Sequence, residues 1–264
     1  MKKEYKEIHK TLVDFIIVLC CVYNSDKDNP NDVMNILSPD IYESEFGGNI
    51  YYFGYTFNSN ASRKDRTTII HWLKNLDNEG IDETTLIKFI DKPLRFFDKK
   101  VNLMDFDLML SPRSGRTNLM KTLVGEIHEF VSNDCKKRSF ELVKSLPKNV
   151  DFNWEKFNSD YEGEIGDNQY NQIHNYIENT LMPKIHNLTY FSIADSVKYK
   201  YRKYIQNYLN ISKEAEATIK AIQNGKILIV DDINTSGSTL HEILRIIRAI
   251  NPKSEIYIFT LIGR

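Results

Sequence analysis

The stretch Ile227-Leu228-Ile229-Val230-Asp231-Asp232-Ile233-Asn234-Thr235-Ser236-Gly237-Ser238-Thr239-Leu240 decides the reading of this chain. Its first four residues are branched aliphatics with no polar alternation, the pattern of a strand buried on both faces of a parallel sheet. Two carboxylates close that run. A turn of small hydroxyl-bearing residues follows, and then Leu240, Ile243, Leu244 and Ile247 recur at the spacing of a helix face. Open α/β sheets bind ligands at the carboxyl ends of their strands. A turn of free N–H groups that feeds a helix N-terminus is a cradle for a phosphate. Carboxylates beside it can accept hydrogen bonds from sugar hydroxyls. One segment therefore predicts a seat for a phosphate and a seat for a ribose. Adjacent carboxylates at the end of a buried strand are costly unless something uses them.

The surrounding chain sets limits. Its 264 residues hold 35 Lys+Arg against 36 Asp+Glu, a net charge of -1, so there is no global basic field for nucleic acid or an anionic membrane. The 15 Tyr and 14 Phe argue for a packed core over disorder. The cysteines, Cys20, Cys21 and Cys135, are odd in number and form no C-x-x-C pair. That usage fits a reducing cytoplasm and gives no zinc site. The apolar stretch from Phe15 to Val22 is shorter than the about 20 residues of a membrane span, so no membrane association is expected. It also lacks the context of a signal peptide.

Outward from the motif, strands and helices alternate. The pattern predicts strands at 106–110, 140–146 and 255–262, and helices at 118–131, 168–182, 194–208 and 212–223. Before them come helices at 4–24, 62–77 and 84–90 and an aromatic, β-prone segment at 50–57. The polar stretch 148–167 reads as a mobile loop or small insertion. The expected fold is α/β, a parallel sheet flanked by helices. Residues 1–100 would be a mainly helical extension or hood. Residues 101–264 would be the α/β domain, with a polar insertion near 147–190.

The motif resembles the phosphoribosyl pyrophosphate (PRPP) binding motif of type I phosphoribosyltransferases. That motif runs four hydrophobics, Asp, Asp or Glu, hydrophobic, any, Thr, Thr or Ser, Gly, any, Thr, hydrophobic, and residues 227–240 meet every position. The resemblance implies a Mg²⁺-dependent pentosyl transferase of nucleotide metabolism. Asp231 and Asp232 would hold the ribose 2′- and 3′-hydroxyls, and their charge would favour a cationic ribosyl group. Thr235, Ser236, Gly237, Ser238 and Thr239 would bind the 5′-phosphate. Ser111, Pro112, Arg113 and Ser114, in the loop after the first domain strand, would hold the diphosphate. Mg²⁺ would bridge diphosphate and ribose oxygens, with Asp231 and Asp232 meeting it only through ribose or water. The 148–167 stretch would be a lid.

Purine-salvage members carry an acidic residue at the position of Thr235, so this chain is closer to the branch that includes orotate and ComF-like enzymes. Ile256–Arg264 and the Tyr51–Tyr55 aromatics resemble the ComF-like kind, whose N-terminal cysteine zinc module is missing here. The partners implied are PRPP and a nucleobase-like or amine acceptor, with a homodimer allowed. A non-catalytic PRPP or nucleotide-binding regulator is the competing reading. A third is a partner-dependent effector, as in a bacterial defence or toxin system, with helices 4–24 and 62–77 as docking surface for a protein or nucleic acid.

Two features stay open at this level. Lys198, Lys200, Arg202 and Lys203 interleave with Tyr199, Tyr201, Tyr204 and Tyr208. They are either a nucleic-acid stacking set or an amphipathic helix with a solvated basic face, from which Arg202 could reach the diphosphate. His241, in the first turn of the motif helix, either faces solvent or serves the phosphate.

Overall fold

In the computed structural model, which describes residues 37–38, 42–59, 61–74, 81–113, 118–161, 164–222 and 224–263, the four aliphatics of the motif alternate between two cores. Ile227 and Ile229 enter one, Leu228 and Val230 the other, and all four are fully buried. That explains the missing polar alternation: helices cover both faces of the sheet. Each such side chain contributes about 1.5–3 kcal/mol by leaving water.

The strands are β1 (Leu37–Ser38), β2 (Tyr42–Phe46), β3 (Asn49–Phe57), β4 (Leu108–Pro112), β5 (Ser139–Lys144), β6 (Asp151–Phe152), β7 (Ile205–Gln206), β8 (Leu209–Asn210), β9 (Lys226–Ile233) and β10 (Glu255–Gly263). The main sheet runs β1-β3-β10-β9-β4-β5-β8, with β2 also on β3. From β3 to β5 every pairing is parallel, and the outer strands join antiparallel. Strands β6 and β7 form a separate two-stranded ribbon.

The helices are α1 (Arg63–Leu73), α2 (Glu83–Val101), α3 (Asn118–His128), α4 (Asn133–Lys137), α5 (Trp154–Tyr161), α6 (Asp167–Tyr176), α7 (Met182–His186), α8 (Ile193–Ser196), α9 (Lys213–Ala221) and α10 (Ser238–Ile250). Helices α1, α2 and α3 cover one face of the sheet, burying Ile69, Leu73, Phe89, Leu94, Leu119 and Leu123 against it. Helix α10 covers the other with Leu240, Ile243, Leu244 and Ile247, joined by Ile219 of α9. No helix among the described residues is long and apolar enough to cross a membrane.

The β-prone segment at 50–57 is β3, and it lies inside the sheet, parallel to β10. Helix α2 approaches it closely. A Cβ on Gly54 would stand 2.6 Å from Pro93. Pro93 has no N–H for the carbonyl of Phe89 one turn earlier, and the Tyr55 hydroxyl donates to that carbonyl at 2.9 Å. The sheet thus crosses the boundary expected near residue 100. The expected helix at 4–24, with Cys20 and Cys21, lies outside the described residues. Cys135 is buried and free, and burial pushes its thiol up to about 11.

Two expectations are adjusted. Of the two readings of 148–167, a loop or a small insertion, the loop does not hold for residues 148–161: a 3₁₀ turn at Pro147–Asn149, β6 and α5 follow one another. Phe152 and Phe157 are buried and pack on each other, on Trp154 and on Tyr204. A few large rings anchor a stretch whose composition is otherwise polar. The helix expected at 194–208 is broken into α8, a 3₁₀ helix at Tyr199–Tyr204, and β7. Tyr201 and Tyr204 are buried three residues apart, the repeat of a 3₁₀ turn. Since Tyr208 is also buried and Tyr199 alone of the four is exposed, these rings are packing, not a base-stacking platform.

Candidate functional site

Strand β9 carries its carboxylates to the carboxyl edge of the sheet, and strand alternation sends them toward opposite faces. Asp231 and Asp232 are both buried. Asp231 Oδ1 accepts from the Asp232 amide at 2.9 Å, and Asp232 Oδ1 accepts from the Ile233 amide at 2.7 Å. Asp232 Oδ2 also meets Lys74 Nζ at 2.8 Å. Lys74 is the residue that closes α1, on the face opposite α10. Burial holds the Asp231 carboxyl well above the ordinary range; the Asp232 charge adds to this and Lys74 opposes it.

On the α10 side, a polar chain backs Asp231. The Tyr51 hydroxyl shares a 2.8 Å hydrogen bond with Thr260 Oγ1 and accepts from Asn234 Nδ2 at 3.1 Å. Burial pushes the Tyr51 phenol up to about 12. The Tyr208 hydroxyl is enclosed with no well-formed hydrogen bond among the described residues, beside Thr239 and within the field of Glu242 and Asp231. Burial again is the first reason its phenol is raised.

The turn after β9 is pinned by the Asn234 amide, which donates to the Ile262 carbonyl at 2.8 Å. Gly237 has φ 72°, a left-handed conformation natural to glycine. It must also be glycine for space, because a Cβ would stand 2.7 Å from the Phe46 ring. Gly237 caps α10, and its carbonyl accepts the first helical bond, from the His241 amide. The amides of the first turn have no partners within the helix and carry the positive end of its dipole. The Ser236 and Ser238 hydroxyls share a 2.9 Å hydrogen bond. Thr235 is exposed, Ser236 and Thr239 are half-buried, and Gly237 and Ser238 are buried.

His241 is exposed, with its ring 4.5 Å from that of Phe46. Partial burial there, and then the charges of Lys156 and Lys203, hold its imidazole below the usual value. Lys156 and Lys203 themselves pair with Asp160, at 3.4 and 2.6 Å.

Strand β4 ends beside β9, in parallel register with Leu110 opposite Ile229. This brings Ser111, Pro112 and Arg113 to the same edge as the two aspartates. Ser111 is buried, while Arg113 is exposed and leans on Glu141 at 3.5 Å. Ser114 lies outside the described residues. Arg202 is spent elsewhere: its guanidinium donates to the carbonyls of Val197 and Ala194.

Sequence reasoning missed Lys74 and Phe46, and it read Tyr208 only as one of a set of interleaved tyrosines. Lys74 and Phe46 come from distant elements and carry no local signal.

Among the described residues no group of three or more His, Cys, Asp or Glu could hold a metal ion. Two hard carboxylates do fit a Mg²⁺ that takes most of its ligands from a phosphorylated substrate and water.

Residues 182–264 match the family model of the phosphoribosyl transferase domain. This segment is similar to phosphoribosyl transferase domains. It contains the whole motif, with β9, the turn, α10 and β10. Strands β3, β4 and β5, which complete its sheet, precede the matched segment. Among solved structures, the chain is similar to a hypoxanthine phosphoribosyltransferase from Staphylococcus aureus, at 13% identity over 68% of this chain and a TM-score of 0.34. The match spans 63% of that enzyme's chain. No curated protein matches the chain.

Proposed function

We propose that the protein transfers the 5-phosphoribosyl group of PRPP to a nitrogenous acceptor and releases diphosphate. The observation that supports this best is the buried pair Asp231 and Asp232 leading straight into the Gly237 turn at the N-terminus of α10. A 5-phosphate would sit on the first-turn amides and the hydroxyls of Thr235, Ser236, Ser238 and Thr239. The ribose diol would donate to the two carboxylates. Attack forms the C1–N bond while the C1–O bond to diphosphate breaks, its electron pair leaving with the diphosphate. Positive charge builds on the ribosyl carbon in between, as in glycoside cleavage, and the nearby carboxylates stabilise it. Arg113 and the β4 loop would face the diphosphate. Mg²⁺, when bound, would neutralise diphosphate charge, reaching Asp231 and Asp232 through ribose or water. Position 235 offers a hydroxyl and no carboxylate, so the acceptor would be one that loses its proton without a base there.

The test is exchange of labelled pyrophosphate into PRPP with Mg²⁺ and a panel of bases and amines. Exchange is expected in the wild type. In the Asp231→Asn, Asp232→Asn double variant it should fall by at least about a hundredfold, on the order of 3 kcal/mol. Undiminished exchange in the double variant rejects the assignment. The lean of Arg113 on Glu141 favours a second reading, a PRPP or nucleotide-binding regulator. Tight PRPP binding without exchange in the wild type would select it.

A further inference from the structure

We propose that Lys74 is a diphosphate-binding residue of the PRPP site, supplied by helix α1 and held on Asp232 until the ligand arrives. This rests on reading Asp231 and Asp232 as the ribose-binding carboxylates.

The backbone of Lys74 is fixed. Its amide donates to the carbonyls of Ile70 and Trp72, and Ile69 and Leu73 bury α1 against the sheet. Its side chain leaves that anchor and ends 2.8 Å from Asp232 Oδ2, on a carboxylate that strand order places at the ligand edge. Among the described residues, three other cations are engaged elsewhere. Arg113 leans on Glu141, and Lys156 and Lys203 share Asp160. Among the described residues, Lys74 is the cation that pairs with Asp232.

When a ribose diol takes Asp232, it displaces the ammonium from its acceptor. The diphosphate hangs from C1, next to the carbon that bears the 2′-hydroxyl. It therefore enters the sweep of the four-carbon lysine stem. An ammonium is a point charge on a flexible arm and can pass from a carboxylate to phosphate oxygens, whereas a guanidinium would clamp the carboxylate with two bonds. With 26% of its side chain still exposed, Lys74 has room to swing. The ion pair thus keeps two adjacent buried carboxylates tolerable and releases a cation as an anionic ligand binds.

The test measures dissociation constants of PRPP, pyrophosphate and ribose 5-phosphate, each with Mg²⁺, on the full chain carrying Lys74→Gln. Loss of a charge-assisted contact should weaken PRPP and pyrophosphate by about tenfold or more. Ribose 5-phosphate should bind as in the wild type or tighter, because nothing competes for Asp232. Wild-type PRPP affinity in Lys74→Gln overturns the proposal. Equal loss of all three ligands also overturns it and makes Lys74 a structural counterion. Wild-type protein that binds neither PRPP nor ribose 5-phosphate overturns the reading of the aspartates instead. A second measurement needs no loss of charge. In wild-type chain with ¹³C-methylated lysines, the resonance assigned through Lys74→Arg should shift with pyrophosphate, and a resonance that stays put overturns the assignment.

Discussion

Two buried acidic sites lie ten residues apart along this chain, at Asp231–Asp232 and at Glu242, and they are built in opposite ways. Glu242 is 2% exposed, and Arg245, one turn further along α10, grips both its oxygens at 2.9 Å. The same guanidinium reaches Asn207 Oδ1. Asp231 and Asp232 are also buried, yet they repel each other, and among the described residues the ammonium of Lys74, from another element, pairs with Asp232 alone. Burying a charge is tolerable only when it is paired and hydrogen-bonded. Glu242 meets that condition from its own helix and ties α10 to the β7–β8 turn. The aspartates meet it in part, through a cation that can leave. The completed pair serves the scaffold, and the incomplete pair is the one proposed above to take a ligand.

The sharpest way to break this contrast is Arg245→Leu. It strands Glu242 in the core and should reduce stability by about 3 kcal/mol in urea unfolding at neutral pH. A loss well below this would mean that the pair is not structural. Gly237→Ala comes next, at about 1–2 kcal/mol by thermal melting, from the positive φ together with the clash on Phe46. Adding Phe46→Ala should relieve the clash and leave the backbone part. Smallest is Asp231→Asn, which should stabilise the ligand-free protein. The folded chain holds a proton on Asp231 over the range between its ordinary and its raised pKa, where the unfolded chain has released it. Stability therefore falls as pH rises through that range. The amide removes this slope, for a gain on the order of 1 kcal/mol at mildly alkaline pH and almost none near pH 4. Identical pH profiles for variant and wild type would show that Asp231 is fully compensated.

The part of the fold that was legible in the sequence is the part with long, regular signals. The strand at 226–233, its turn and its helix follow from four aliphatics, two aspartates and one apolar stripe, and the structure puts them in that order at the sheet edge. The aromatic run at 50–57 is a strand, but its pairing with β10 is a tertiary fact with no local cue. The lobe between 147 and 206 was hardest to read. Its elements are short, and its order comes from a few rings such as Phe157 and Tyr204. Around Tyr199–Tyr204, basic residues between tyrosines imitate an amphipathic helix, while the buried pair sits at a spacing of three. At the site, the aspartates and the turn were legible because they are contiguous. Lys74 and Phe46 were not, since only the fold brings α1 and the β2–β3 hairpin to them.

The place of β10 between β9 and β3 bears on how the chain reaches this state. Ile50 and Tyr257 are neighbours in the sheet although more than 200 residues separate them. So distant a closure carries a large entropic toll before any contact rewards it, and such topologies fold slowly. Until the closure is made, β3 has no partner on the side that β10 will occupy and displays tyrosines on both of its faces. A half-assembled chain is for that interval a sticky one, prone to join a neighbouring molecule in place of its own missing strand.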